Sequence, residues 1–242
     1  MKKAIVVGAS SGIGLEVARC LMADGWAVGL MARRTTLLEA IRSEYPSTVW
    51  VQPCDVCSTT AVQALEQLIN RMGGVDLYFH AAGIGRQNME LDATTELDTL
   101  DTNVMGFARM VGTAFRYMAV HGGGHIAVIS SIAGVKGLGP APSYSASKAF
   151  QNVYIQALEQ LAFTRALPIH FTDIRPGFVH TALIEGSHFP LQMTAPYVAR
   201  RIVTALRRGR HVAVVDWRYR LLVFFWRLLP AALWRRIAIM VH

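Results

Sequence analysis

Short runs of apolar, mostly β-branched residues recur along the chain and are separated by segments long enough to be helices. The apolar runs hold four to six residues each and lie at 4–7, 26–31, 48–51, 75–79, 125–129, 169–174 and 211–215. The segments between them include 12–23, 35–44, 58–72, 96–119, 144–165 and 195–208. This alternation predicts an α/β fold, in which helices cover both faces of a doubly wound parallel sheet of about seven strands.

Two stretches, 84–95 and 177–194, interrupt the alternation. Loops in such folds commonly cover a site at the carboxyl ends of the strands, so we expect both stretches to lie near a ligand. The second stretch leads into the helix predicted over 195–208. Thr194 is placed to cap this helix, and Pro196 suits its first turn.

Length and composition predict a single globular domain. The 242 residues, of which 52% are hydrophobic and 17% charged, suffice for one large core and are few for two. Much of the formal net charge of +8 lies at the C-terminus, where residues 217–242 include five arginines and no acidic residue. We therefore divide the chain into a domain over 1–216 and a hydrophobic, basic tail over 217–242.

The three cysteines indicate a reducing compartment and give no metal site. The first apolar run, 4–7, is too short for a secretion signal, and an odd number of cysteines without such a signal is typical of a cytoplasmic protein. Cys54 and Cys57 have the CxxC spacing, but no second CxxC or His pair follows. We expect no bound metal and interpret this segment as a strand-to-loop junction.

A glycine-rich turn, GASSGIG, directly follows the first predicted strand. Gly8, Gly12 and Gly14 would allow a tight turn in which backbone amides approach a pyrophosphate at a helix N-terminus. The spacing is GxxxGxG, and a turn with a purely structural role would contain the same glycines. The strand–turn–helix setting favours a dinucleotide site on a Rossmann-type fold.

The residues after the second predicted strand bear on the choice of dinucleotide. A site that selects NAD usually has an acid here, which accepts a hydrogen bond from the adenosine ribose. This chain instead has Ala32, Arg33 and Arg34. Guanidinium groups bind a 2′-phosphate through forked, charge-assisted hydrogen bonds, so the segment predicts NADP(H). Two solvated arginines without a ligand are the alternative.

Tyr144 and Lys148 stand four positions apart among small residues, which puts them on one face of a predicted helix. A phenol with an ordinary pKa of about 10 is a poor base at neutral pH, and a neighbouring ammonium lowers that pKa. The pair therefore predicts a tyrosine that exchanges a proton with a substrate oxygen. Helix positions without a chemical role are the alternative.

Four further motifs accompany the glycine turn and the YSASK sequence that holds this pair. They are SSIAG (130–134), HAAG (80–83), NVMG (103–106) and RPGFVHT (175–181). With these motifs the chain closely resembles the short-chain dehydrogenase/reductase family from residue 3 to about residue 215. Ser131 lies thirteen residues before Tyr144, the interval usual in that family.

The chain departs from the family pattern at three positions. Val7 stands where many members have threonine before the first glycine, and His80 and Ala81 replace two asparagines. We expect these departures to affect packing around the cofactor more than the chemistry.

The resemblance implies a role for each matched residue. Tyr144 would be the acid/base, Ser131 would hydrogen-bond the substrate oxygen, and Lys148 would hold the nicotinamide ribose. Asn103 would orient a water that feeds a proton relay through Lys148. Asp55 would lie near adenine, although a turn former at a strand end is the alternative. The expected cofactor-binding residues are Gly8, Ser10, Ser11, Gly12, Ile13, Gly14, Arg33, Arg34, Asp55, Val56, Ala81, Ala82, Gly83, Tyr144, Lys148, Pro176, Gly177, Val179 and Thr181.

The tail over 217–242 is apolar but is interrupted by Arg227, Pro230 and the pair Arg235–Arg236. A membrane span needs about 20 uninterrupted apolar residues, so we predict two short helices with Pro230 near the start of the second. Arginine and tryptophan among aliphatic residues are typical of a bilayer interface. An oligomer interface and a flap over an apolar pocket are the alternatives.

These observations predict a cytoplasmic NADP(H)-dependent oxidoreductase that interconverts a carbonyl and a secondary alcohol. The apolar tail suggests a lipophilic substrate and peripheral contact with the inner face of a membrane, and we also expect a homo-oligomer. The alternative is an NADP-binding sensor without turnover. A nucleic-acid binder would spread its basic residues over a groove-sized face, whereas here they concentrate in the apolar tail, so we expect no nucleic acid.

Overall fold

The computed structural model describes residues 1–181 and 191–237, and within them seven parallel strands form one sheet. The strand order is β3-β2-β1-β4-β5-β6-β9, and the remaining two strands, β7 and β8, pair with each other. This architecture confirms the predicted doubly wound α/β fold. The strands are β1 (Lys3–Val7), β2 (Ala27–Ala32), β3 (Val49–Pro53), β4 (Leu77–His80), β5 (Gly124–Ile129), β6 (Ile169–Arg175), β7 (Val179–His180), β8 (Met193–Thr194) and β9 (Val212–Val214).

Helices pack on both faces of the sheet, and alternate residues of β1 show how the two cores are divided. Ala4 and Val6 belong to the core beneath the first and seventh helices, whereas Ile5 and Val7 belong to the core beneath the third, fifth and sixth. This is the period-two alternation of a sheet buried on both sides. The helices are α1 (Gly12–Ala23), α2 (Thr36–Glu44), α3 (Ala61–Met72), α4 (Ala93–Leu100), α5 (Phe107–Val120), α6 (Pro142–Thr164), α7 (Ala195–Arg207), α8 (Trp217–Leu228) and α9 (Ala231–Trp234).

The strand order reverses at β1, which lies between β2 and β4. Val7, the last residue of β1, is in register with Met31 of β2 and with His80 of β4. A crevice therefore opens at the carboxyl ends of these strands, where ligands bind in open α/β sheets. The glycine turn begins directly at this point, because Gly8 follows Val7.

The single helix predicted over 96–119 is in fact interrupted. It consists of α4, one wide π-helical turn over Asp101–Gly106, and α5. Turns of this kind are rare and occur frequently at functional sites. This turn contains Asn103, which is fully buried.

The predicted capping role of Thr194 is wrong. Thr194 precedes α7, but its side chain makes no capping hydrogen bond, and its extended backbone pairs with His180 in the β7–β8 ladder. Pro196 does lie in the first turn of α7, as predicted. Part of the predicted loop over 177–194 lies outside the described residues.

The beginning of the tail forms two helices separated by Pro230, and this confirms the predicted interruption. In the described ranges, none of the helices has the length and apolarity needed to cross a bilayer. The inner side of α8 contributes Tyr219 and Val223 to the main core, where both are at least 95% buried. The inner side of α8 is thus packed into the main core of the domain.

Candidate active site

The glycine turn after β1 is too tightly packed to hold side chains at two of its positions. Gly8 has φ +88°, and a Cβ atom there would lie 2.6 Å from the backbone nitrogen of Ala82. A Cβ atom on Gly14 would overlap the carbonyl oxygen of Gly8. The turn, the start of α1 and the HAAG segment therefore approach one another through their backbones. Such a cradle fits the pyrophosphate of a dinucleotide.

The two arginines predicted to select the cofactor lie beside this turn. Arg33 and Arg34 are exposed and follow the buried end of β2 at Ala32. The Nη2 atom of Arg34 donates to Ser11 Oγ at 3.3 Å, so its guanidinium reaches the glycine turn. Ser10 and Ile13, which flank Ser11 and Gly12, are partly exposed.

Asp55 and Val56 lie at the end of β3, on the adenine side of the expected site. The Asp55 carboxylate accepts from the backbone nitrogen of Cys57 at 3.0 Å, which is a local turn contact. Val56 is buried and packs against Gly106 at the end of the π-helical turn. The Asp55 carboxylate therefore forms a local turn after β3, and its expected position near adenine stays a prediction.

The HAAG segment begins with the last residue of β4. It lies between the glycine turn and the side chains of Asn103 and Lys148. Ala81 donates its backbone N–H to the carbonyl of Val7 at 2.8 Å. A Cβ atom on Gly83 would lie 3.2 Å from Asn103 Oδ1 and 3.6 Å from Lys148 Nζ. His80 is buried beneath this segment, and its Nδ1 is 2.8 Å from the Tyr78 hydroxyl. Burial lowers the pKa of His80 to about 3, so its ring is neutral.

Ser131, Tyr144 and Lys148 meet at the carboxyl end of β5. Ser131 is the N-cap of a short 3₁₀ turn, and its Oγ accepts from Ala133 N at 3.0 Å. Tyr144 is half-buried in the first turn of α6, and the Ser131 side chain is near enough to lower the pKa of its phenol. Lys148 lies one turn further along α6, with its Nζ 5.7 Å from the centre of the Tyr144 ring. A Cβ atom on Gly85 would lie 2.5 Å from Cδ2 of Tyr144, so this glycine leaves room for the ring.

The predicted lowering of the tyrosine pKa is wrong for this structure. Burial raises the pKa of Tyr144, and the Ser131 side chain opposes this rise only in part. Burial also lowers the pKa of Lys148 to about 8, while the Asp173 carboxylate opposes that change. Desolvation is the largest cause of both shifts, and Tyr144 carries its proton at neutral pH and can donate it.

Asn103 holds the π-helical turn against the loop after β4. Its Oδ1 accepts from Ile84 N at 2.9 Å, and its Nδ2 donates to Ile84 O at 2.7 Å. Its backbone carbonyl accepts from Gln151 Nε2 at 2.9 Å. Gln151 is a site residue that was not predicted from the sequence. Its position three residues after Lys148, on the face of α6 that carries the lysine, is the signal that could have identified it.

The turn after β6 closes the crevice from the other side. The carbonyl of Pro176 accepts from Ile132 N at 3.2 Å, which ties this turn to the residue after Ser131. Val179 is buried. A Cβ atom on Gly12 would lie 3.2 Å from Cγ2 of Thr181, so Thr181 is close to the glycine turn. Gly177 lies directly against the ring of Tyr219. The expected cofactor residues from both halves of the sheet thus border one crevice.

Comparisons with known proteins show which family this chain belongs to. Residues 2–188 match the family described as short chain dehydrogenase. An uncharacterized oxidoreductase of Mycobacterium tuberculosis is 31% identical over 98% of this chain and 97% of its own. Another, from Myxococcus xanthus, is 34% identical over 78% of this chain and 77% of its own.

Solved structures show the same fold. A short-chain dehydrogenase/reductase of Burkholderia phymatum, in complex with NAD, superposes with a TM-score of 0.83 at 22% identity, covering 92% of each chain. A variant of actinorhodin polyketide ketoreductase with NADPH gives a TM-score of 0.76 at 27% identity, covering 88% of this chain and 95% of that one. The family match over most of the chain therefore identifies the protein as an oxidoreductase of the short-chain dehydrogenase/reductase family.

Proposed function

We propose that the protein is an NADP(H)-dependent oxidoreductase that interconverts a carbonyl and a secondary alcohol, with Tyr144 as the acid/base. The observation that supports this most strongly is the position of the Tyr144 phenol. It is half-buried, close enough to Ser131 for that side chain to lower its pKa, and one helical turn from the buried Lys148 ammonium. A substrate oxygen that reached both hydroxyl groups would be held by two hydrogen bonds at a proton donor.

The bound nicotinamide would supply or accept a hydride at the substrate carbon. The chain's own residues would handle the proton and the oxygen. Ser131 and Tyr144 would bind the carbonyl oxygen, and the phenol would donate its proton as the alcohol forms. In the opposite direction the phenolate would take that proton back. Burial raises the pKa of Tyr144 further above neutral pH, so the phenol is present in the protonated form that carbonyl reduction requires.

The expected test of this function is turnover. NADPH consumption should be measured against a panel of lipophilic ketones, with NADPH binding followed separately by fluorescence. Carbonyl-dependent consumption would support the proposal. Tight NADPH binding without consumption across the panel would contradict it and would favour the sensor alternative.

NADP(H) is proposed over NAD(H) because guanidinium groups, and no carboxylate, follow β2. Replacing both residues, Arg33→Ala with Arg34→Ala, should reduce the preference for NADPH over NADH by about tenfold or more. The reason is that a hydrogen bond to a charged group contributes about 1.5–3 kcal/mol. The measurement is the ratio of the two dissociation constants.

The matched control for this change is Arg200→Ala with Arg201→Ala. These two adjacent arginines are exposed on α7, so the control removes the same charge at a different place. It should leave the cofactor preference unchanged. Equal affinities of the unaltered protein for NADPH and NADH would contradict the assignment.

The lipophilic substrate class is proposed from the position of α8. The Tyr219 hydroxyl accepts from Phe178 N at 3.1 Å and donates to Leu191 O at 3.1 Å, so α8 supports both described ends of the segment after β6. Lys136 Nζ donates to Leu229 O at 2.8 Å, which ties the end of α8 to the loop before α6. The helix thus borders the substrate side of the crevice.

The outer face of α8 is apolar and uncovered within the described residues. Five large side chains at helical spacing are each 50–64% exposed: Trp217, Leu221, Phe224, Phe225 and Leu228. Arginines flank them, and residues 217–242 include no acidic group. We propose that this face docks on an anionic lipid surface, where apolar side chains and arginines both contribute to binding. A cytoplasmic, peripheral location follows from the proposal.

Replacing two residues of this face, Phe224→Ser with Phe225→Ser, should reduce binding to vesicles that contain anionic lipid by tenfold or more. Complete burial of an aromatic side chain contributes about 1.5–3 kcal/mol to the free energy of transfer from water. Each phenylalanine would contribute less than this to vesicle binding, because a side chain at a bilayer interface is only partly buried. Co-sedimentation with anionic and neutral vesicles measures the effect. Binding should also weaken at high salt.

The control is Phe163→Ser, which removes a side chain that is 87% exposed on α6, away from α8. It should leave vesicle binding unchanged. If the α8 face joins copies of this chain instead, the double variant should lower the sedimentation mass, and neither protein should bind vesicles. That result would overturn the lipid proposal and favour a homo-oligomer built through α8.

A further inference from the structure

Gln151 lies between two groups of the candidate catalytic site and hydrogen-bonds to both. Its Oε1 accepts from Lys148 Nζ at 2.9 Å, and its Nε2 donates to the Asn103 carbonyl at 2.9 Å. The side chain is completely buried on α6. Because an amide can donate and accept at once, glutamine satisfies both partners without carrying a charge. One side chain therefore joins α6 to the π-helical turn.

The surroundings of Lys148 Nζ make this contact important. Its other hydrogen bond goes to the Ile129 carbonyl at 3.1 Å. The titratable groups that face Nζ are Tyr144 on the same helix, His80 at the end of β4 and Asp173 on β6.

Neither His80 nor Asp173 accepts a hydrogen bond from the ammonium in this structure. His80 is neutral and already contacts the Tyr78 hydroxyl. The Asp173 carboxylate binds the Ser130 hydroxyl and the Arg175 guanidinium, the latter at 2.6 Å. In the part of the chain that the structure describes, Gln151 is the side chain that accepts from Lys148 Nζ.

We propose that Gln151 is a positioning residue of the catalytic site, which fixes the Lys148 ammonium and links it to Asn103 through a side-chain amide. This proposal rests on the proposed function, because that function gives Lys148 a role beside Tyr144. The family resemblance implies a water between Asn103 and Lys148 that relays protons. An amide neither gains nor loses a proton near neutral pH, so this link holds the lysine but conducts no proton.

The amide also bears on the charge of Lys148. A buried ammonium is disfavoured by desolvation, and each hydrogen bond to its charged form opposes that effect. Removing the Gln151 oxygen should lower the pKa of Lys148, and placing a carboxylate there should raise it. If Gln151 had a role in packing alone, the two substitutions would change the free energy of unfolding and would leave the pKa of Lys148 unchanged.

The test follows the titration of Lys148 directly. The chain has four lysines, Lys2, Lys3, Lys136 and Lys148, so isotope-labelled lysine gives few side-chain NMR signals. Lys148→Met identifies the signal of interest. The two variants are Gln151→Met, which keeps the length of the side chain, and Gln151→Glu. The control is Gln156→Met, at an exposed position on the same helix.

We expect Gln151→Met to lower the pKa of Lys148 by about one unit and Gln151→Glu to raise it by at least as much. Gln156→Met should leave it unchanged. In turnover assays, the loss of activity at alkaline pH should shift in the same direction for each variant.

Unchanged Lys148 titration in both folded Gln151 variants would overturn the proposal, as would a shift of the same size in the control. The NMR readout needs no substrate. Absence of turnover in the unaltered protein would therefore count against the proposed function, whereas the Lys148 shifts would still decide the role of Gln151.

Discussion

Replacing Tyr144 with phenylalanine should lower turnover by about 10²–10⁴-fold and leave NADPH affinity nearly unchanged. The phenol is the proton donor of the proposed reaction, and burial keeps it protonated. Phenylalanine retains the ring that packs beside Gly85, so the substitution removes one hydroxyl group and little else. The measurements are kcat with the best carbonyl substrate and the NADPH dissociation constant.

Tyr154→Phe is the matched control for this loss. Tyr154 is on the same helix, where its ring packs against Phe107 and Phe150, and its substitution also removes one phenolic hydroxyl. It should leave turnover unchanged. Turnover of the Tyr144 variant within about tenfold of the unaltered protein would remove Tyr144 from the acid/base role.

Gly8→Ala should destabilise the protein and abolish cofactor binding. The backbone at Gly8 has φ +88°, which costs an alanine about 1–2 kcal/mol. The added methyl would also lie 2.6 Å from the backbone nitrogen of Ala82, and such overlap costs about a further 1–3 kcal/mol. Denaturant unfolding measures the free energy of unfolding, and fluorescence measures NADPH binding.

The Gly25→Ala variant separates the cost of the positive φ from the cost of the overlap with Ala82. Gly25 has a similar positive φ of +77°, but a methyl group there would meet no atom within 4 Å. This control should lose only about 1–2 kcal/mol and should bind NADPH normally. If Gly8→Ala binds NADPH as tightly as the control does, the turn after β1 is not the cofactor cradle.

The sheet and the approach of Lys148 to Tyr144 could be predicted because they depend on local patterns. Strand runs, the glycine turn and the spacing of Tyr144 and Lys148 are all readable within short segments. The direction of the tyrosine pKa could not be predicted in this way. It depends on how deeply residues distant in sequence bury the phenol, whereas the sequence shows only the neighbouring lysine.

The role of Gln151 was missed for a related reason. Its two partners are Lys148, three residues away, and Asn103, which is 48 residues away. The second contact exists only because the π-helical turn presents the Asn103 carbonyl to α6. A periodicity that predicts one helix over 96–119 gives no indication of that turn.

The contact between Gly177 and Tyr219 constrains how this chain can be recombined with its relatives. A methyl group at 177 would overlap the tyrosine ring, and the ring hydroxyl also holds Phe178 and Leu191. A chimaera that brings a larger residue to position 177 must therefore also replace the tyrosine at 219 with a smaller residue. In descendants of this protein, substitutions at these two positions should arise as compensating pairs.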